Sequence, residues 1–111
     1  MAKGLSAKEQ RALLRLKELL LERFGKGVLA MKLYGSKARG EANKFSDVDV
    51  LVVIRKGDWK FRRQVRAVGY DVFEETGVDI SIVVMEKSRY DRLRRWHFPF
   101  IINVQRDGIA I

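Results

Sequence analysis

"LYGSKARGEANKFSDVDVLVVI", residues 33–54, joins a small basic turn to an apolar run that opens on acid. The turn is Gly35-Ser36-Lys37-Ala38-Arg39-Gly40, and the run begins Asp47-Val48-Asp49. Beyond Asp49 the run is apolar on both faces, which predicts a central strand over 47–54. Two carboxylates two residues apart on a strand leave by the same face. Left alone they repel, and one of them resists ionisation. The turn has the opposite character. Glycine lets backbone N–H groups and the Ser36 hydroxyl approach an anion closely, and Lys37 and Arg39 add positive charge.

Outward from this stretch the chain alternates helix and strand. Ser6-Ala7-Lys8-Glu9 fits a capping box, and Leu13, Leu16, Leu20 and Phe24 make an apolar stripe, so a first helix is expected over 7–24, stopped by Gly25 and Gly27. A first strand follows over 28–34, then a connection over 35–45 with room for one helical turn. Asp58 caps a second helix whose stripe is Phe61, Val65, Val68 and Val72, with Gly77 as its stop. Residues 78–85 read as a third strand, Ser88-Arg89-Tyr90-Asp91 as a helix start, and Pro99 as the first turn of a last short helix ending near Gly108.

This order brings the acidic residues together. Strands joined by a helix of about five turns lie parallel, so the second and third begin at one edge of the sheet. Asp79, in Val78-Asp79-Ile80, then joins Asp47 and Asp49 there. The first strand, antiparallel to the second, delivers Gly35 and Ser36 to the same edge. Oxygen-only ligands favour Mg²⁺ or Mn²⁺. Two such ions about 3.5–4 Å apart clamp the attacking and leaving oxygens of an in-line phosphoryl displacement. Taken singly the signals are weak. Asp-x-Asp is often solvated punctuation at a strand start. The glycine turn lacks the G-K-[ST] ending of a Walker loop. Asp47-Val48-Asp49 lacks the further ligand and glycine of an EF-hand.

Composition sets the class. The chain has 111 residues, 47% of them apolar, which suits one domain over 1–111. Without cysteine there is no disulfide, iron–sulfur cluster or thiolate zinc site, in keeping with a reducing interior. No apolar signal core opens the chain, and no run approaches the ~20 residues of a membrane span, so a soluble cytoplasmic protein with no membrane partner is expected. The net charge of +9 suits an anionic partner (nucleotide, nucleic acid or acidic protein) or a thermophile's solvated surface.

The turn, the five-residue gap and Ser46-Asp47-x-Asp49 together resemble the signature of the minimal nucleotidyltransferases in the polymerase-beta superfamily. The order of elements extends the likeness over nearly the whole chain, and Pro99 to Ile109 is similar to that family's C-terminal helix and its exit. The resemblance implies an α/β (α+β) fold, a small mixed sheet flanked by helices. It implies that Asp47 and Asp49 hold the metals, Mg²⁺ or alternatively Mn²⁺, with ATP as substrate. Asp79 would be the third carboxylate, a ligand that also helps to activate the acceptor hydroxyl. Ser36 and the Gly35 amide would hold the triphosphate, Lys37 would add positive charge beside it, and Arg39 would support the phosphates or the turn. It also implies a partner, a helical HEPN-domain toxin with RNase activity, for which the chain would be the antitoxin by transferring AMP to a tyrosine. With no acceptor-binding domain in 111 residues, another chain or a self-dimer would complete the acceptor site.

Two other readings remain open here: an antitoxin of the same fold that neutralises by binding alone, and a transferase acting on RNA or a small molecule. His97, the only histidine, reads first as a packed or interface residue and second as a base. Trp59, Trp96, Phe98 and Phe100 suit core, a partner patch or base stacking. Arg62-Arg63-Gln64-Val65-Arg66 and Arg92-Leu93-Arg94-Arg95 read first as solvated helix faces and second as contacts to an acidic partner or RNA.

Overall fold

Ser6 accepts the Glu9 N–H and Glu9 accepts the Ser6 N–H, so the capping box forms as expected and starts helix α1, Ala7–Phe24. The computed structural model describes residues 4–40 and 47–111; residues 41–46, including Ser46 of the acidic motif, lie outside the described residues. Strand β1 is Val28–Tyr34, followed by the one-turn helix α2, Ser36–Arg39. Strand β2 is Val48–Ile54. Helix α3, Trp59–Thr76, is capped by Asp58 and closed by Gly77 in the left-handed conformation. Strand β3, Ile80–Glu86, leads into α4, Lys87–Arg95, and α5, Pro99–Asp107, starts on its proline. Strand β4, Ile109–Ala110, was not expected from the sequence.

The sheet order is β3-β2-β1-β4. β2 runs parallel to β3 and antiparallel to β1, and β4 pairs with Lys32 and Leu33 of β1. This is the expected mixed sheet flanked by helices. β2 is central and almost wholly buried, as its uninterrupted apolar run demands.

Two cores sit on the two faces. Val48, Val50, Val52 and Ile54 pack with the leucines of α1 and with Val65, Val68 and Val72 of α3. Leu51 and Val53 pack with Met85, with Tyr90 and Leu93 of α4, and with Ile101 and Val104 of α5. Asp49 shares the parity of Leu51 and belongs to the α4–α5 face, while Asp47, expected as the first strand residue, immediately precedes β2.

β1 reaches its register through a bulge. Val28 opposes Ile54 but Ala30 opposes Val53, leaving Leu29 as the extra residue, 39% exposed. After the bulge Met31 and Leu33 enter the α1–α3 core, while Ala30 and Tyr34 turn to the other face. Among the described residues no helix is long and apolar enough to cross a membrane.

Candidate active site

The register fixes the acidic edge. Tyr34 pairs with Asp49, Asp49 with Ser81, and Val48 with Ile80. Asp47 and Asp79 are therefore the residues just before one cross-strand pair, on adjacent parallel strands. Both line a cleft of about 360 Å³ closed by Ser6 and Glu9 at the start of α1. Strand β3 begins two residues later than the sequence suggested, so Asp79 precedes the strand instead of lying in it.

Asp49 is the most constrained of the three carboxylates. Partial burial pushes its pKa up, and the charge of Asp47 pushes it further. Tyr34, its cross-strand neighbour, is raised by burial and by Asp49. The Tyr34 ring meets Phe100 of α5 edge-on, with centroids 5.3 Å apart at 87°. This aromatic wall beside Asp49 was missed by sequence reasoning. Tyr34 reads as an ordinary strand residue, and nothing in the sequence pairs it with Phe100 across 66 positions.

Gly35 follows Tyr34 with φ +78° and ψ −160°, a region only glycine occupies readily. A side chain there is also excluded by space, since a Cβ would stand 2.7 Å from Asp49 Oδ2. The glycine thus brings the turn against the carboxylate. Its carbonyl accepts the Ala38 and Arg39 N–H groups, which winds α2 and sets Ser36 at the first position of the turn. Gly40 ends it in the left-handed conformation.

The two cations of the turn are braced by acids from elsewhere in the fold. Lys37 is 2% exposed, and its ammonium lies 3.0 Å from Glu9 of α1. Burial opposes the charged form of Glu9, yet the Ser6 N–H and the Lys37 ammonium outweigh it and hold the carboxyl below its usual range. Lys37 therefore ties the turn to α1. Glu9 has a capping signature in the sequence but no signal linking it to a residue 28 positions on. Arg39 lies 3.6 Å from Asp107 at the end of α5, whose carboxyl is held low first by Arg106 and then by Arg39. Arg39 braces the turn against α5.

Among the described residues no three acidic or histidine side chains cluster closely enough to hold a metal ion. The donor set that fits a hard divalent cation is the Asp47–Asp49 pair, whose mutual repulsion a cation would relieve. Asp79 lines the same cleft as Asp47. His97 is exposed, not packed, at φ +54°. It closes α4 in a Schellman turn: its N–H donates to Arg94 O, and the Phe98 N–H donates to Leu93 O. Trp59, Trp96 and Phe98 are exposed, and Phe100 is partly buried.

Residues 13–103 match the model of a nucleotidyltransferase domain. Among solved structures the chain is similar to a candidate minimal nucleotidyltransferase, at 23% identity and TM-score 0.62 over 96% of this chain and 97% of that one. It is also similar to a chain of a mutant MntA-HpeT toxin-antitoxin, at 18% identity and TM-score 0.58 over 92% of this chain and 70% of that one. A toxin-antitoxin structure with AMP-PNP matches at 18% identity and TM-score 0.57 over 91% and 70%. At these identities the likeness is one of fold. No curated protein matches the chain significantly.

Proposed function

The chain belongs to the nucleotidyltransferase domain family, and on that premise we propose that it transfers AMP from ATP to a hydroxyl, a tyrosine of a partner HEPN-domain toxin, and so acts as an antitoxin. The observation that carries the reading is Asp49, set against the glycine of an anion-suited turn and within reach of the charge of Asp47. The toxin-antitoxin likenesses support the choice of partner.

In the transfer the acceptor oxygen attacks the α-phosphorus. A phosphorus–oxygen bond forms, the bond to the bridging α–β oxygen breaks, and pyrophosphate leaves. Asp47 and Asp49 would hold Mg²⁺, which supplies positive charge to the phosphate oxygens. Ser36 and the Gly35 turn orient the triphosphate by hydrogen bonds. Asp79, exposed in the cleft it shares with Asp47, takes the acceptor's proton. Lys37 and Arg39 hold the turn in place through Glu9 and Asp107.

The test is direct. The chain, the HEPN-domain protein encoded beside it and Mg·ATP are incubated together. The partner should gain the mass of AMP and lose RNase activity, whereas the chain carrying Asp47→Asn and Asp49→Asn should transfer nothing. Equal silencing by that double variant, with no mass gain under the native chain, would leave neutralisation by binding as the function.

A further inference from the structure

Two clefts meet at Asp79. One is the 360 Å³ cleft that it shares with Asp47. The other, of about 580 Å³, runs from Asp79 along Ser81 and Ile82, with α3 as its opposite wall. β3 is the terminal strand of the described sheet. Residues of both parities line this second cleft: Ser81 shares the face of Asp49, while Ile80 and Ile82 belong to the α1–α3 face. A cleft lined from both faces straddles the strand's outer edge. That edge is where backbone N–H and C=O groups accept another strand.

The α3 wall is basic and aromatic. Arg63 and Arg66 line it with Tyr70, which is 75% exposed, and Phe73, 49% exposed. From Asp79 to Ile82 the cleft spans four residues, about 13 Å at strand rise. We propose that an extended, acidic segment of the acceptor polypeptide docks along the free edge of β3, between that strand and α3, and so delivers its hydroxyl to Asp79. The role given to Asp79 rests on the adenylyl-transfer reading; the docking surface does not.

Charge selects the occupant. Arg63 and Arg66 suit carboxylates, and the net charge of +9 attracts an acidic chain over distance. A second copy is disfavoured by charge, because it carries the same net charge of +9 and the same Arg63 and Arg66. Ile80, Ile82 and Phe73 leave room for one apolar side chain between the acids.

The full chain, ¹⁵N-labelled and without nucleotide or metal, is titrated by NMR with an end-blocked hexapeptide, Glu-Glu-Ile-Tyr-Glu-Glu. Amide shifts should cluster at Gly69, Phe73, Ser81 and Ile82. Arg63→Glu with Arg66→Glu, both exposed on α3, should keep the native spectrum and weaken binding about tenfold or more. The same peptide with alternate amides N-methylated should not bind, because the strand pairing needs its N–H groups. Several results would overturn the proposal: no shifts at millimolar peptide, equal binding of a lysine-for-glutamate peptide, or shifts confined to other surfaces. So would stronger binding of a single-stranded oligoribonucleotide to the same face, or a dimer that masks β3. A chain that binds the peptide yet never transfers AMP would keep this surface and lose the proposed function.

Discussion

Replacing Gly35 by alanine imposes two costs at one residue, and Gly25 supplies the control for one of them. Gly35 has φ +78° and Gly25 has φ +52°, both in the half of backbone space that L residues avoid. Strain of this kind costs about 1–3 kcal/mol, so each variant should melt about 4–12 °C lower. Only Gly35 has a neighbour. A Cβ at Gly25 meets nothing within 4 Å, whereas one at Gly35 stands 2.7 Å from Asp49 Oδ2. Ordinary contact begins near 3.4 Å, so the carboxylate must retreat by about 0.7 Å, taken as 3.4 minus 2.7. Displacing a ligand through its support costs about 10–100-fold in metal affinity. Mn²⁺ titrations in the presence of ATP, run well below both melting points, should show that loss for Gly35→Ala and none for Gly25→Ala. Equal Mn²⁺ affinity in the two variants would refute the claim that Gly35 sets the Asp49 carboxylate.

The raised pKa of Asp49 makes a prediction about pH. A carboxyl that holds its proton longer when folded contributes stability that is present below its unfolded pKa and lost as pH rises through the folded one. Asp49→Asn should therefore stabilise the metal-free protein at neutral pH and flatten its stability between acid and neutral pH; chemical denaturation across that range measures it. Ser36→Ala should weaken ATP binding more than AMP binding, by roughly 1.5–3 kcal/mol for a lost bond to a charged phosphate, and calorimetry of both nucleotides would expose an equal effect. His97→Gly should stabilise the protein by about 0.5–1 kcal/mol, because glycine accepts the left-handed Schellman position without strain, and a thermal melt reads the gain.

Most of the fold was written locally. Ser6 and Glu9 announce the start of α1, Asp58 and Gly77 bound α3, and Pro99 opens α5, because caps and stops act within a few residues. That Asp47 and Asp79 lie at one edge of the sheet followed from topology, since the helical crossover makes β2 and β3 parallel. Long-range pairings were not legible. Lys37 and Glu9 find each other only when α1 packs over α2, and a lysine in a loop reads as solvated until its neighbours are known. The two residues of β4 carry too short a pattern to signal a strand, and they form one because β1 offers its outer edge. His97 read as a packed or interface residue; it is exposed, and its backbone conformation gives it a place at the end of α4 that no sequence signal announced.

The bulge at Leu29 lets β1 absorb a residue without moving the acidic edge. Take Leu29 away and Val28 and Ala30 still oppose Ile54 and Val53, now as ordinary antiparallel neighbours, so each pair from Ala30 to Tyr34 keeps its partner and its side of the sheet. The slack lies five residues from Tyr34, about 17 Å along the strand. A length change of one codon there is expected to spare the Tyr34–Phe100 wall and the Asp49 pairing alike. When sequence variants are compared, a gap at Leu29 is therefore a change in the strand's entry and not in the edge that carries the acids.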